Sequence, residues 1–269
     1  MNIKFYQIDA FTDRLFGGNP AAVCILDHWL HDEVLLDIAK ENNLAETAFF
    51  LPLEHGSYHL RWFTPEIEMD LCGHATLATA YVIFEELSHD SDLITFETKS
   101  GILTVRKIDN SYELDFPSRP PVSAKLPQII SDSLNIQPVE VWKARDYLLV
   151  YNAEEEIWQI KPNLAIINQI NIDPGGIIVT AKSDIEGIDF VSRFFTPQAS
   201  IFEDPVTGSA HCTLVPYWSN RLKKNQFNAK QISERGGILH CVMCKERVRI
   251  RGEAVKYIEG TIVLQSQMD

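Results

Sequence analysis

Between Ile3 and Asp9 apolar and polar residues alternate, the two-residue period of a strand with one buried face. FGGNPAAVCIL (Phe16 to Leu26) reads as a Gly-Asn-Pro turn feeding a second strand. From Asp32 to Asn42 the period changes: Val34, Leu35, Ile38 and Ala39 recur at helical spacing, with Asp32 placed to start the helix. AETAFFL and Tyr58 to Phe63 return to strand character. Ala75 to Leu87 is apolar on all sides, which predicts a buried helix rather than a surface one. ITFET, GILTVRKI and SYELDF predict three more strands.

SRPPVSAKLP (Ser118 to Pro127) is the densest proline run and is expected to be a linker. Beyond it the order repeats. A helix over Pro127 to Leu134 precedes strands near Val139 to Val141, Tyr147 to Tyr151 and Gly176 to Ala181, and a second apolar helix spans Ala210 to Leu222. The repetition reaches the letters themselves. RWFTPEIEMDLCGHATLATA, from Arg61, matches RFFTPQASIFEDPVTGSAHCTL, from Arg193, and SGILTVR near Gly101 matches GGILHCV near Gly237. Nearly constant offsets across these features mark an internal duplication of a whole domain. The boundaries expected are 1–117 and 127–258, with 259–269 returning to the first domain. Two such domains would face each other about a pseudo-twofold, with a cleft between them.

The bulk numbers narrow the function. Hydrophobic residues are 45% and charged residues 23% of 269, an ordinary globular composition. A net charge of −13 argues against a nucleic-acid or anionic-membrane surface, and leaves room for a small anionic substrate at a local site. The start of the chain lacks a signal-peptide core and no run is long enough to span a membrane, so a cytoplasmic protein is expected. Five cysteines show no framework spacing. Cys241 and Cys244 form one CxxC on a predicted strand, where positions three apart point to opposite faces, a poor geometry for a shared metal.

The two Gly-centred turns carry the candidate chemistry. Helices starting at Gly73-His74 and at Gly208-Ser209 would offer unpaired backbone N–H groups and a partial positive charge, together able to hold a carboxylate. The same residues also read as ordinary caps, with Thr207 and Ser209 satisfying helix donors. Glu46 at the start of a strand reads, on residues alone, as a solvated edge position.

FGGNPAAV, LAETAFF, RWFTPEIEMDLCGHATLATA and RFFTPQASIFEDPVTGSAHCTL, in this order, resemble the phenazine-biosynthesis-like (PhzF-like) isomerase family, within the diaminopimelate epimerase and proline racemase superfamily. The resemblance implies an α+β fold of two pseudo-symmetric domains, each a curved mixed sheet around a central helix, with the active site between them. It implies an isomerase or epimerase, a homodimer, and no metal or organic cofactor. Residue by residue it assigns the catalytic glutamate to Glu46 and the acid of the second domain to Asp204. It gives supporting, substrate-binding places to His74, Gly73, Cys72, Gly208, Ser209 and Asn19. Glu46 would take a proton from one carbon of a small carboxylate-bearing substrate and return it to another.

The superfamily's two-base racemases use a cysteine from each domain. Cys72 stands where the first would fall, but aligning Gly73 with Gly208 puts Thr207 opposite it, too weak an acid for the second. Single-carboxylate chemistry is therefore expected. Against it stand a non-catalytic binding protein on the same scaffold, and a hydrolase using Ser209, whose T-G-S-A-H context lacks the G-x-S-x-G elbow. His211 is expected to be packed or capping. No repeated motif carries a lysine for a pyridoxal Schiff base, and FGGN is too short for a nucleotide loop.

Overall fold

The first alternating run forms β1 (Asn2–Ala10), which buries Ile3, Tyr6 and Ile8 and pairs antiparallel with β2 (Asn19–Ile25), Ala10 opposite Asn19. The computed structural model describes residues 1–172, 175–197 and 201–265. The chain divides into two compact units, Met1–Asp115 with Arg251–Asp269, and Phe116–Ile250. In the first, β2 is followed by α1 (Asp32–Asn42), β3 (Glu46–Pro52), β4 (Ser57–Phe63), β5 (Glu68–Met69), α2 (Gly73–Tyr81), β6 (Leu93–Thr98), β7 (Gly101–Ile108) and β8 (Ser111–Pro117). The second holds β9 (Val122–Ser123), α3 (Gln128–Asp132), β10 (Glu140–Lys143), β11 (Tyr147–Val150), α4 (Glu154–Gln159) and α5 (Leu164–Ile167). It continues with β12 (Ile177–Lys182), β13 (Phe190–Phe195), β14 (Glu203–Asp204), α6 (Gly208–Leu222), β15 (Gln226–Gln231), β16 (Gly237–Cys244) and β17 (Arg247–Gly252). The last strand, β18 (Ala254–Val263), returns to the first unit along β1, Asn2 opposite Val263.

The duplication is written in the pairing. β1–β2 is antiparallel, β2–β3 parallel, β3–β4 and β4–β5 antiparallel, β4–β6 parallel and β6–β7 antiparallel. β10–β11, β11–β12, β12–β13, β13–β14, β13–β15 and β15–β16 repeat those senses in the same order. Each parallel pair is joined by a helical crossover, as parallel neighbours require. The architecture is α+β, a mixed sheet with helices.

Strand alternation sorts side chains into layers. Cys24, Phe49 and Phe63 point to the side covered by α1, where Leu35, Ile38 and Ala39 close a cluster. The opposite face meets α2, whose residues from Gly73 to Ala80 are all buried and which packs on β1, β2 and β3. In the second unit Ile130, Ile157 and Ile167 of α3, α4 and α5 cover Leu149, Val179 and Phe195, and α6 packs on β16. Burying a side chain such as Phe49 contributes about 1.5–3 kcal/mol.

Both buried helices begin at the Gly-centred turns, with Gly73 and Gly208 as their first helical residues, ahead of the apolar runs that open at Ala75 and Ala210. The first does not continue to Leu87 as an α-helix: after Tyr81 it runs as one π turn, Val82–Glu86. Pro216, eight residues into α6, stands where Tyr81 ends α2. A proline there cannot donate to the carbonyl four residues back. That carbonyl, Cys212 O, instead accepts from Arg119 N at 2.9 Å. Ser118 N donates to Glu246 O, and Val122 and Ser123 pair with Lys143 and Trp142. The proline run expected as a linker is thus strapped to the second unit, with the N–H groups of Ser118, Arg119 and Ala124 all committed to its carbonyls.

The repeated Arg-x-Phe-Thr-Pro stretches build one device twice. Arg61 Nε donates to Glu68 Oε1 at 2.7 Å across β4–β5, and Arg193 Nε donates to Glu203 Oε1 at 2.7 Å across β13–β14. Each guanidinium lies 5.0 Å from the ring two residues on, Phe63 or Phe195. Thr64 Oγ1 donates to Ile67 O, and Thr196 Oγ1 to Ile201 O. Residues 198–200 of the second stretch lie outside the described residues. The outcome is a pinned hairpin that delivers each glycine to the start of its buried helix.

The second clamp is the more complete. Arg193 also donates Nη2 to Glu203 Oε2 and Nη1 to the carbonyls of Ile157 and Ile160, whereas the second bond of Arg61 goes to an exposed Asp32. Arg193→Ala should therefore cost about 3 kcal/mol by leaving Glu203 and two carbonyls unpaired. Arg61→Ala should cost less, about 1–2 kcal/mol. Urea unfolding of both variants measures the difference; equal losses would refute the ranking.

Candidate active site

Glu46 opens β3 opposite Ala21 of β2. Helix α1 ends with Asn43 in the left-handed region, φ 49°, and Asn42 Nδ2 donates to Thr47 Oγ1 at 3.1 Å, which fixes the entry into the strand. Side chains alternate along a strand. Since Phe49 faces α1, Glu46 shares the other face with Ala48 and Phe50 and comes to the N-terminus of α2. Asn19 opens β2 in the same way.

His74 is the hub of what these elements bring together. Its Nε2 lies 3.1 Å from Glu46 Oε2, with side-chain exposures of 5% and 15%. Its Nδ1 lies 3.1 Å from Asn19 Nδ2 and 3.6 Å from Cys72 Sγ. The Nε2–Oε2 contact is within ion-pair distance, but neither atom makes an aligned hydrogen bond. With the Asn19 amide as placed, Nδ1 accepts and Nε2 carries the proton facing Glu46. With that amide turned over, both ring N–H groups donate and the ring is the imidazolium.

Charge decides between them. Burial opposes a charged imidazole, but Cys72 and Glu46 on its two sides outweigh it and hold the His74 pKa well above 6.5. Burial pushes the Cys72 thiol up, Glu46 pushes it further, and His74 opposes both. The thiol is thereby held above its ordinary range, and the Glu46 carboxyl group faces the other side of the ring. Carboxylate, thiol and imidazole donors lie within 4.8 Å of one another, a set able to ligate a metal. Here the ring stands between the other two, with sulfur on the Nδ1 side and the carboxylate on the Nε2 side.

In the second unit Asp204 and Thr207 shape the turn. Thr207 Oγ1 donates to Asp204 Oδ2 at 2.5 Å. Gln231, fully buried on β15, accepts from Thr207 N at 2.9 Å and donates to Asp204 O at 2.7 Å. Sequence reasoning missed Gln231: it is one of four polar residues in the strand QFNAKQ, 24 residues from the turn it fixes. Gly208 is the first residue of α6, and Ser209 lies half-buried in its first turn. His211 is packed, as expected: its Nδ1 donates to Thr207 O at 2.8 Å and its ring stacks on Phe190. In the first unit Thr76 Oγ1 makes the matching bond to Cys72 O. The structure thus gathers Asn19, Glu46, Cys72, Gly73 and His74 in one unit, and Asp204, Gly208 and Ser209 in the other.

These side chains stand on a duplicated α+β frame, a mixed sheet with helices. The fold matches that of a probable proline racemase from Agrobacterium radiobacter, with a TM-score of 0.66 at 11% identity over 98% of this chain and 93% of that one. The sequence is more specific. Residues 8–260 match the phenazine biosynthesis-like protein family (PhzC-PhzF), and the chain belongs to that family. It is 47% identical to an uncharacterized isomerase of Pseudomonas aeruginosa, covering 98% of this chain and all of that protein. A crystal structure of a PhzF family protein from Enterococcus faecalis matches with a TM-score of 0.92 at 44% identity, over 98% of this chain and 100% of that one. No helix among the described residues is long and apolar enough to cross a membrane.

The two buried histidines should titrate in opposite directions. Burial lowers the His211 pKa to about 4, so its contribution to stability is complete above pH ~6.5 and fades as pH falls toward 4, by roughly 3 kcal/mol at most. His74, raised, contributes below pH ~6.5 and loses that contribution as pH rises through its higher folded value. NMR titration of the imidazole Cε1–H signals reads both. His211→Thr, which copies Thr76, should flatten the acid-side loss; an unchanged acid slope would contradict the assignment.

Proposed function

We propose that the chain is a cofactor-independent isomerase that moves a proton on a small carboxylate-bearing substrate, with Glu46 as its base and acid. The observation that carries this reading is the Glu46–His74 pair, a carboxylate 15% exposed and held 3.1 Å from an imidazole whose pKa is raised. A carboxylate in that setting can accept a proton from carbon and, as a carboxylic acid, return it to another carbon. The imidazolium steadies the Glu46 carboxylate before the first step and after the second. The free N–H groups at the start of α2 offer a seat for the substrate carboxylate. The family resemblance adds Asp204 and the start of α6 as further contacts.

Two other chemistries fit less well. A thiol base at Cys72 is disfavoured by its raised pKa and by Thr207 at the matching place. A hydrolase at Ser209 needs a base, but His211 is fully buried against Phe190 with its pKa lowered to about 4, and the His74 ring already faces Glu46, Asn19 and Cys72.

Incubation with small carboxylates in deuterated water, followed by NMR of the recovered acid, is the test. The active enzyme should wash deuterium into one C–H position, and Glu46→Gln should lower the rate at least about a hundredfold. Binding of a carboxylate without exchange would make the protein a binder. Exchange untouched in Glu46→Gln would remove Glu46 as the base.

A further inference from the structure

A cavity of about 680 Å³ opens in the second unit, and none of the candidate active-site residues lines it. Its size falls within the roughly 300–1,000 Å³ of small-ligand sites. Two kinds of wall enclose it. Ile129 and Ile130 of α3, with Ile170 and Ile172 beyond α5, are apolar. Lys143 and Arg145 come from the β10–β11 hairpin, with Tyr147 beside them.

The hairpin is built to present those cations. Lys143 and Tyr147 are paired across the strands, and the Lys143 ammonium lies 4.6 Å from the Tyr147 ring. Between them Asp146 turns inward, fully buried, and its Oδ1 accepts from Gly176 N at 2.8 Å. Anchoring Asp146 leaves Arg145, its neighbour at the tip, to line the cavity.

Among the described residues neither Lys143 nor Arg145 has a carboxylate at ion-pair distance, and the buried Arg145 Nε makes no hydrogen bond. Arg145 feels the buried Asp146 carboxylate beside it, but that carboxylate is turned inward and bonded to Gly176 N. The chain carries 37 acidic residues against 24 Lys and Arg, so two cations lining one cavity run against its overall balance. A guanidinium against an apolar wall is costly to desolvate until an anion meets it, and its planar fork fits a carboxylate. We propose that this cavity binds a small amphipathic monoanion, its carboxylate held by Arg145 and Lys143 and its hydrocarbon body lying on the four isoleucines.

The probe is anilinonaphthalene sulfonate, an apolar ring system with one anionic group, titrated by fluorescence into the full-length protein and displaced with hexanoate or hexanol. Hexanoate should displace it, and hexanol of the same chain length should be at least about tenfold weaker. The double variant Lys143→Gln with Arg145→Gln should raise the probe Kd about tenfold with an unchanged melting temperature, and Glu46→Gln should leave binding as it is. Should the double variant not fold, Lys143→Gln alone and the hexanoate–hexanol comparison decide. Equal displacement by hexanol, or binding unchanged in the folded variants, overturns the proposal. Loss of binding in Glu46→Gln overturns it too, by placing the probe at the proton-transfer site. Loss of binding as protein concentration rises would mean that a second copy of the chain fills the cavity.

Discussion

The arginine–glutamate clamp across each short hairpin is the constraint on which the structure depends. A two-residue strand such as β5 or β14 holds little on its own. Bonded through Nε at 2.7 Å to the strand before it, each becomes a rigid arm that ends where a buried helix begins. The phenyl ring beneath the guanidinium and the threonine hydroxyl that closes the turn complete the device. Arginine suits the task because its planar fork meets a carboxylate and an aromatic face together, which lysine cannot do.

On this shared frame the two units diverge in a handful of positions. Met69 and Asp204 occupy matching places in β5 and β14, as do Cys72 and Thr207 before the helices and His74 and Ser209 within them. The first unit sets an imidazole between a carboxylate and a thiol. The second became a polar turn, cross-linked by Thr207 and Gln231. Even the helix interiors differ: where α2 loosens into a π turn, α6 carries Pro216 and borrows Arg119 N to satisfy the carbonyl that proline strands.

What was legible in the letters was what depends on local period and on repetition. The strand at Glu46, the helix over Asp32–Asn42 and the all-round apolar helices follow from spacing, and the duplication follows from one near-constant offset. The face on which Glu46 sits follows from alternation once Phe49 is known to lie under α1. What stayed hidden depends on partners far along the chain. Gln231 looks like any strand residue until it reaches Thr207, and the proline run looks like a linker until Ser118 and Arg119 find carbonyls beyond residue 200. Arg145 and Lys143 were invisible for the same reason: which cations line a cavity is a property of the fold, not of the neighbours in sequence.

The central claim is that Glu46 meets the reacting carbon. A small epoxide-bearing carboxylate tests it directly, since the attacking carboxylate opens the ring and is left as a hydroxy-ester. Peptide mass mapping after such labelling should place the adduct on Glu46, with none formed at that peptide in Glu46→Gln. An adduct on Ser209 or Cys72 with Glu46 unmodified would contradict the account.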